Sequence, residues 1–202
     1  MQLDEQDRDG LNLECADLIE TTISSEEVYH GVMIRLERDT VCLPNGSTAI
    51  REVMRHPGAA AVVPLTREGN VVLVRQFRYP FSRVMLEIPA GKLDPNEAPA
   101  DCARRELKEE TGFLAEELIS LGVFFPSIAM LDEQIHLFLA RELTPSCANL
   151  DEDEFLHVEQ RPLKDLVQQI LRGEVPDGKT QTAILKAYYL LNDGIIPDKQ
   201  TE

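Results

Sequence analysis

Apolar and polar positions alternate along much of this chain, and the alternation cuts it into short strands rather than long helices. Residues 27–43 (EVYHGVMIRLERDTVCL) alternate, Pro44, Asn45 and Gly46 signal a turn, and residues 47–54 alternate again. Together these runs predict a small antiparallel β unit. Ahead of it, residues 1 to about 25 are polar and acidic without clear period, and read as a loose or short helical lead-in. His56, Pro57 and Gly58 punctuate the boundary. The chain thus divides into a lead-in and β unit over residues 1–57 and a main domain over residues 58–202.

After Gly58, the main domain supplies three short apolar strands: AAAVVPL, VVLVRQF from Val71 and VMLEIPA from Val84. Three more follow further on, LISLGVFF, QIHLFLA and FLHVEQ. Helical spacing appears in residues 161–172, through Leu163, Leu166, Ile170 and Leu171, and in residues 180–191, where Thr180 is a candidate cap. Between the strands lies GKLDPNEAPADCARRELKEETGF, residues 91–113, whose second half is helical. Pro99 suits a first helical position and Gly112 a left-handed stop. The expected fold class is α/β: an α/β/α sandwich on a mixed β-sheet, preceded by the small N-terminal antiparallel unit.

The central helix also carries chemistry. At 3.6 residues per turn, Glu106, Glu109 and Glu110 fall within roughly a 100° arc. Ala100, Ala103, Leu107 and Leu114 form an apolar stripe beside them. Like charges at this spacing destabilise a bare helix by a few tenths of a kcal/mol per pair, which a divalent cation relieves better than a lysine. Clustered glutamates are usually a solvated face, so the whole pattern must decide. Gly91, Glu97, Arg105, Glu106, Leu107, Glu109, Glu110, Gly112 and the apolar Phe113 match the Nudix box at every defined position. The chain therefore resembles the Nudix hydrolases, which cleave nucleoside diphosphates linked to another group using magnesium or manganese. The phrases HPGAAAVVPL, VRQFRYP, LEIPAGK, DEDEFLHVEQ and PDGKTQTA are similar to one branch, the ADP-ribose pyrophosphatases.

That resemblance implies roles for particular residues. Glu106, Glu109, Glu110 and the backbone carbonyl of Ala90 would hold Mg2+, with Mn2+ an alternative, and Arg105 would anchor a box carboxylate. The general base would be Glu154, with Glu152 second; Glu109 could serve instead, as box glutamates do in some relatives. Arg78 would hold the terminal phosphate, with Arg75 close by, while Arg55 and Glu52 from the N-terminal unit would touch the nucleotide end. The acidic pair Asp132 and Glu133 is retained on the substrate side. Ile128 and Ala129, however, stand where the branch carries Pro-Gly. ADP-ribose is the leading substrate by resemblance, and this departure leaves GDP-mannose, another sugar nucleotide or a dinucleotide open. A nucleotide sensor is a third possibility, although such relatives generally lose a box glutamate or the Arg-Glu pair. The N-terminal strands of relatives exchange between subunits, which implies a homodimer.

Composition narrows the partners. The net charge of −16 over 202 residues argues against binding nucleic acid, where Lys and Arg must neutralise phosphates. A negative substrate must be met by bound cations and a few placed arginines. No apolar run approaches the length of a membrane span, and no signal-peptide pattern opens the chain. Cys15, Cys42, Cys102 and Cys147 are scattered without CxxC spacing, as expected for reduced thiols in the cytoplasm, and Cys102 reads as packing. His30, His56, His136 and His157 share no metal-ligand spacing.

Overall fold

A computed structural model describes residues 15–150 and 154–195. The chain forms two compact units, one ending at His56 and taking in Phe125–Glu133, the other made of Pro57–Phe124 and the chain from Gln134 onward.

The first unit is an antiparallel sheet of β1 (Thr21–His30), β2 (Arg35–Cys42) and β3 (Thr48–Arg55), in that order. Asn45 makes the β2–β3 turn: its Oδ1 accepts from the Ser47 N–H at 3.0 Å and hydroxyl at 2.7 Å, and Gly46 takes φ 82°. Strand β1 begins at Thr21, inside the stretch expected to be a loose lead-in. The β-branched run Thr21, Thr22 and Ile23 favours extended backbone. Register shifts at Thr22/Ser24 and Glu27/Tyr29 break the period of two, so alternation alone does not reveal where the strand starts. The 125–133 segment docks on β3, with the Met54 N–H donating to the Met130 carbonyl at 2.7 Å and the Asp132 N–H to the Met54 carbonyl at 3.2 Å.

The second unit holds a four-stranded mixed sheet. It is made of β7 (Ala90–Lys92), β4 (Ala59–Pro64), β9 (Ile135–Pro145) and β8 (Phe113–Phe124), in that order, with only β4 and β9 parallel. A three-stranded antiparallel sheet orders β10 (Leu156–Pro162), β5 (Asn70–Arg78) and β6 (Arg83–Glu87). The helices are α1 (Pro99–Thr111), α2 (Leu163–Leu171) and α3 (Gly178–Asn192).

Strand β4 shows why the sequence stacks in layers. All of it is buried, as a strand covered on both faces requires. Its side chains alternate between two cores. Ala59, Ala61 and Val63 join Leu166 and Ile170 of α2 and Ala183, Ile184 and Ala187 of α3. Ala60 and Val62 join Cys102, Ala103 and Leu107 of α1. The small alanines let helices approach from both sides, and the result is the α/β/α sandwich. Leu107 and Ile184 are fully buried, each worth about 1.5–3 kcal/mol.

Candidate active site

Helix α1 starts with Ala98 at its cap and Pro99 behind it, and stops at Gly112, whose φ of 71° lets its N–H reach the Lys108 carbonyl at 2.9 Å. Because the helix ends at Thr111, Leu114 lies on β8 and is exposed instead of completing the apolar stripe. Cys102 takes a place in that stripe, packed with Ala103 and Leu107, and burial pushes its thiol up to about 12. Turning this face inward carries Glu106 and Glu110 with it, so both carboxylates are buried.

Arg105 is the hub of the charged face. Its Nε and Nη2 donate to Glu97 at 2.8 and 2.9 Å, its Nη1 to Glu106 at 2.6 Å and to Glu109 at 3.1 Å, and its Nη2 to the Lys92 carbonyl at 3.1 Å. Hydrogen bonding from Arg105 holds the Glu97 carboxyl down at about 2. Glu97 also caps the loop by accepting the Asp94 N–H at 3.0 Å. One guanidinium thereby ties the loop before α1 to two box carboxylates.

Glu110 is left in a different state. Burial first, and then the charges of Glu106 and Glu154, raise its carboxyl to about 8, while a hydrogen bond from the Ala90 backbone works the other way. Its Oε2 is buried with no hydrogen-bond partner. Burial likewise raises Glu106 despite Arg105, with Glu109 and Glu154 adding to the rise. Glu154 therefore stands close enough to act on both box carboxylates. Glu152 lies outside the described residues. Gly91 makes room for Glu106: a Cβ there would sit 1.8 Å from Glu106 Oε1.

These residues suit a divalent cation. Crowded carboxylates, an orphaned buried oxygen and backbone from strand β7 make an all-oxygen donor set of the kind hard cations take. Among the described residues no group of three or more His, Cys, Asp or Glu side chains is gathered as a ready-made metal site. Glu106 and Glu109 turn instead to Arg105, which supplies the positive charge.

The two strand arginines sit in different company. Arg75 pairs with Glu159 of β10, which Arg161 also contacts at 2.6 Å. Arg78 donates through Nε and Nη2 to Glu87 at 2.7 and 2.6 Å. Lys179 also donates to Glu87, and to Asp177 at 3.0 Å. Asp177, rather than Thr180, caps α3: its Oδ2 accepts the Thr180 N–H at 3.0 Å. Thr180 lies in the first turn, where its hydroxyl donates to Asp177 at 2.5 Å and accepts the Ile88 N–H at 2.9 Å. Sequence reasoning missed Glu87 and Lys179; the available signal was a lone carboxylate inside the apolar strand VMLEIPA.

The remaining candidates belong to the first unit. Arg55 donates to Glu37 at 2.6 Å, to Asp132 at 3.3 Å and to Asp39 at 3.4 Å. Asp132 also accepts the His56 N–H at 2.8 Å, and Glu133 lies 3.5 Å from the His56 ring. Glu52 is exposed on β3 opposite Arg38.

Residues 54–181 match the family model described as the NUDIX domain, and residues 20–54 match the nucleoside diphosphate sugar hydrolase N-terminal domain. The chain belongs to the Nudix family. This Nudix hydrolase is 44% identical to an ADP-ribose pyrophosphatase of Bacillus subtilis strain 168, over 83% of this chain and 91% of that one. It is 42% identical to a methanol dehydrogenase activator of Bacillus methanolicus, over 82% and 90%. A GDP-mannose pyrophosphatase of Yersinia pestis is 36% identical, over 65% and 71%. Among solved structures, an ADP compounds hydrolase superposes with a TM-score of 0.77, covering 89% of this chain and 98% of that one at 24% identity, which supports the fold. Among the described residues, no helix is long and apolar enough to cross a membrane.

Proposed function

We propose that this Nudix hydrolase cleaves the diphosphate of a nucleoside diphosphate sugar with Mg2+, and that ADP-ribose is its substrate, giving AMP and ribose 5-phosphate. The observation that carries the reading is the complete box, with buried Glu106 and Glu110 and an oxygen of Glu110 that lacks a partner. The named activities of the Bacillus subtilis and Yersinia relatives support the substrate class.

Glu106, Glu109, Glu110 and the Ala90 carbonyl would hold the cation; Mn2+ is its nearest substitute. When bound, the ion neutralises phosphate charge, polarises P–O bonds and lowers the pKa of an attacking water. The chain's own residues do the rest. Arg105 orients Glu106 and Glu109. Arg78 meets the terminal phosphate, with Arg75 further along the same strand, and Arg55, Glu52, Asp132 and Glu133 serve the nucleotide end. Glu154 accepts the proton of the water whose oxygen bonds to phosphorus as the bridging P–O bond breaks; Glu152 and Glu109 are the alternatives. The exposed N-terminal sheet makes a homodimer, and the protein works in the cytoplasm.

Ile128 and Ala129, in place of Pro-Gly, favour a second reading in which GDP-mannose or another sugar nucleotide is the substrate. Turnover of a panel of nucleotide sugars, with and without magnesium, tests both. ADP-ribose is expected to turn over fastest, and only with the metal. Tight binding without turnover of any member would make the protein a nucleotide sensor.

A further inference from the structure

Glu87, at the end of β6, is 2% exposed. A buried carboxylate is costly unless it is paired and hydrogen-bonded, and this one carries two cations. Burial pushes its carboxyl up, but Arg78 and Lys179 outweigh that and hold it below the usual range. Arg78 pairs through its Nε–Nη2 edge, which points Nη1 away from Glu87 on a side chain that keeps 39% exposure. Lys179 spends two of its three donors on Glu87 and Asp177. Both cations are within electrostatic reach of Glu110, one of the box carboxylates. The cluster also reaches the backbone: Thr180, bonded to Asp177, accepts the Ile88 N–H, two residues before Ala90. A buried ionic cluster is often no more stabilising than apolar residues of the same volume, so its use is better sought in geometry.

We propose that Glu87 is a positioning residue for substrate binding. It holds the Arg78 guanidinium and the Lys179 ammonium in fixed orientation, so that they meet the diphosphate without being ordered during binding. This rests on the reading of the protein as a diphosphate hydrolase.

The test compares Glu87→Gln, Arg78→Lys and the double variant in the full chain with excess magnesium. The glutamine keeps the volume but gives up the charge. Expected for Glu87→Gln is a rise of about tenfold in both KM and the dissociation constant for ADP, with kcat within about threefold of the parent. Because Glu87 acts partly through Arg78, the double variant is expected to lose less than the product of the two single effects. Unchanged KM and ADP affinity alongside a lowered Tm would mean a purely structural role and overturn the proposal, as would fully multiplicative effects. Should Glu87→Gln not fold, Glu87→Asp, shorter by one methylene, replaces it; unchanged KM in that variant overturns the proposal equally. If the parent turns over no nucleotide sugar, the hydrolase reading fails separately, and ADP affinity still tests Glu87.

Discussion

Burial raises the Glu110 carboxyl well above the usual carboxylate range, and the consequences can be measured without substrate. With a folded value of about 8 against an ordinary 4.5, its carboxyl binds a proton more tightly in the folded state than in the unfolded state. Its contribution to stability is therefore full below the unfolded value and is lost as pH rises through the folded one. The metal-free protein is expected to show a Tm that falls between about pH 5 and pH 8, and Glu110→Gln to flatten that slope. Saturating magnesium should restore Tm most at the alkaline end, because it favours the ionised form. A slope unchanged in the variant would place the titration elsewhere. Glu154, whose charge reaches both buried box carboxylates, is a separate matter. Glu154→Gln is expected to lower kcat at least about tenfold while magnesium affinity barely changes. Steady-state kinetics with a magnesium titration reads both, and an unchanged kcat moves the base to Glu152 or Glu109.

Strand β7 and helix α1 work as one element. Glycine at 91 is required by close approach rather than by an unusual φ, since the missing Cβ is where the Glu106 carboxylate lies. Gly91→Ala is expected to displace Glu106 and reduce kcat/KM by more than about tenfold, with a raised magnesium requirement, while the core of the domain persists in circular dichroism. At the start of α3, Asp177→Ala removes the cap and one partner of Lys179. A loss of about 1 kcal/mol, or roughly 2–4 °C in Tm, follows from the cap alone. The elements of the main domain were largely legible, because each strand or helix declares its period within a few residues. The exceptions share a cause. β1 is longer than its alternation because bulges reset the register, Leu114 left the helical stripe because Gly112 ends the helix, and Thr180 yielded the cap to an aspartate three residues earlier.

The proposed homodimer is tested at the first unit. All ten residues of β1 are exposed, among them Ile23, Val28 and Tyr29, and Val32 and Met33 in the following turn are exposed as well. A strand with so much apolar surface open to water calls for a partner. Light scattering at micromolar concentration is expected to give about twice the 22.7 kDa chain mass, and Val28→Asp with Tyr29→Asp to give the monomer. A parent protein that runs as a monomer would remove the homodimer.

The run 27–43 reads as one stretch and folds as two strands, β1 and β2. By contrast, the strands and helices of the main domain, apart from the short β7, and the placement of Glu106, Glu109 and Glu110 on one side of α1 could be read from the chain itself. Each is a matter of spacing, since a backbone turning 100° or 180° per residue places side chains by arithmetic. What the tertiary structure decided is which charges lose their water and who answers them. Glu87 and Lys179 look unremarkable as letters, and no local rule joins positions 78, 87, 177 and 179. Only packing β5, β6 and the start of α3 together closes that cluster, and only the burial of one face of α1 leaves an oxygen of Glu110 without a partner. Burial is a property of what arrives from elsewhere in the chain, and so is the pKa that follows from it.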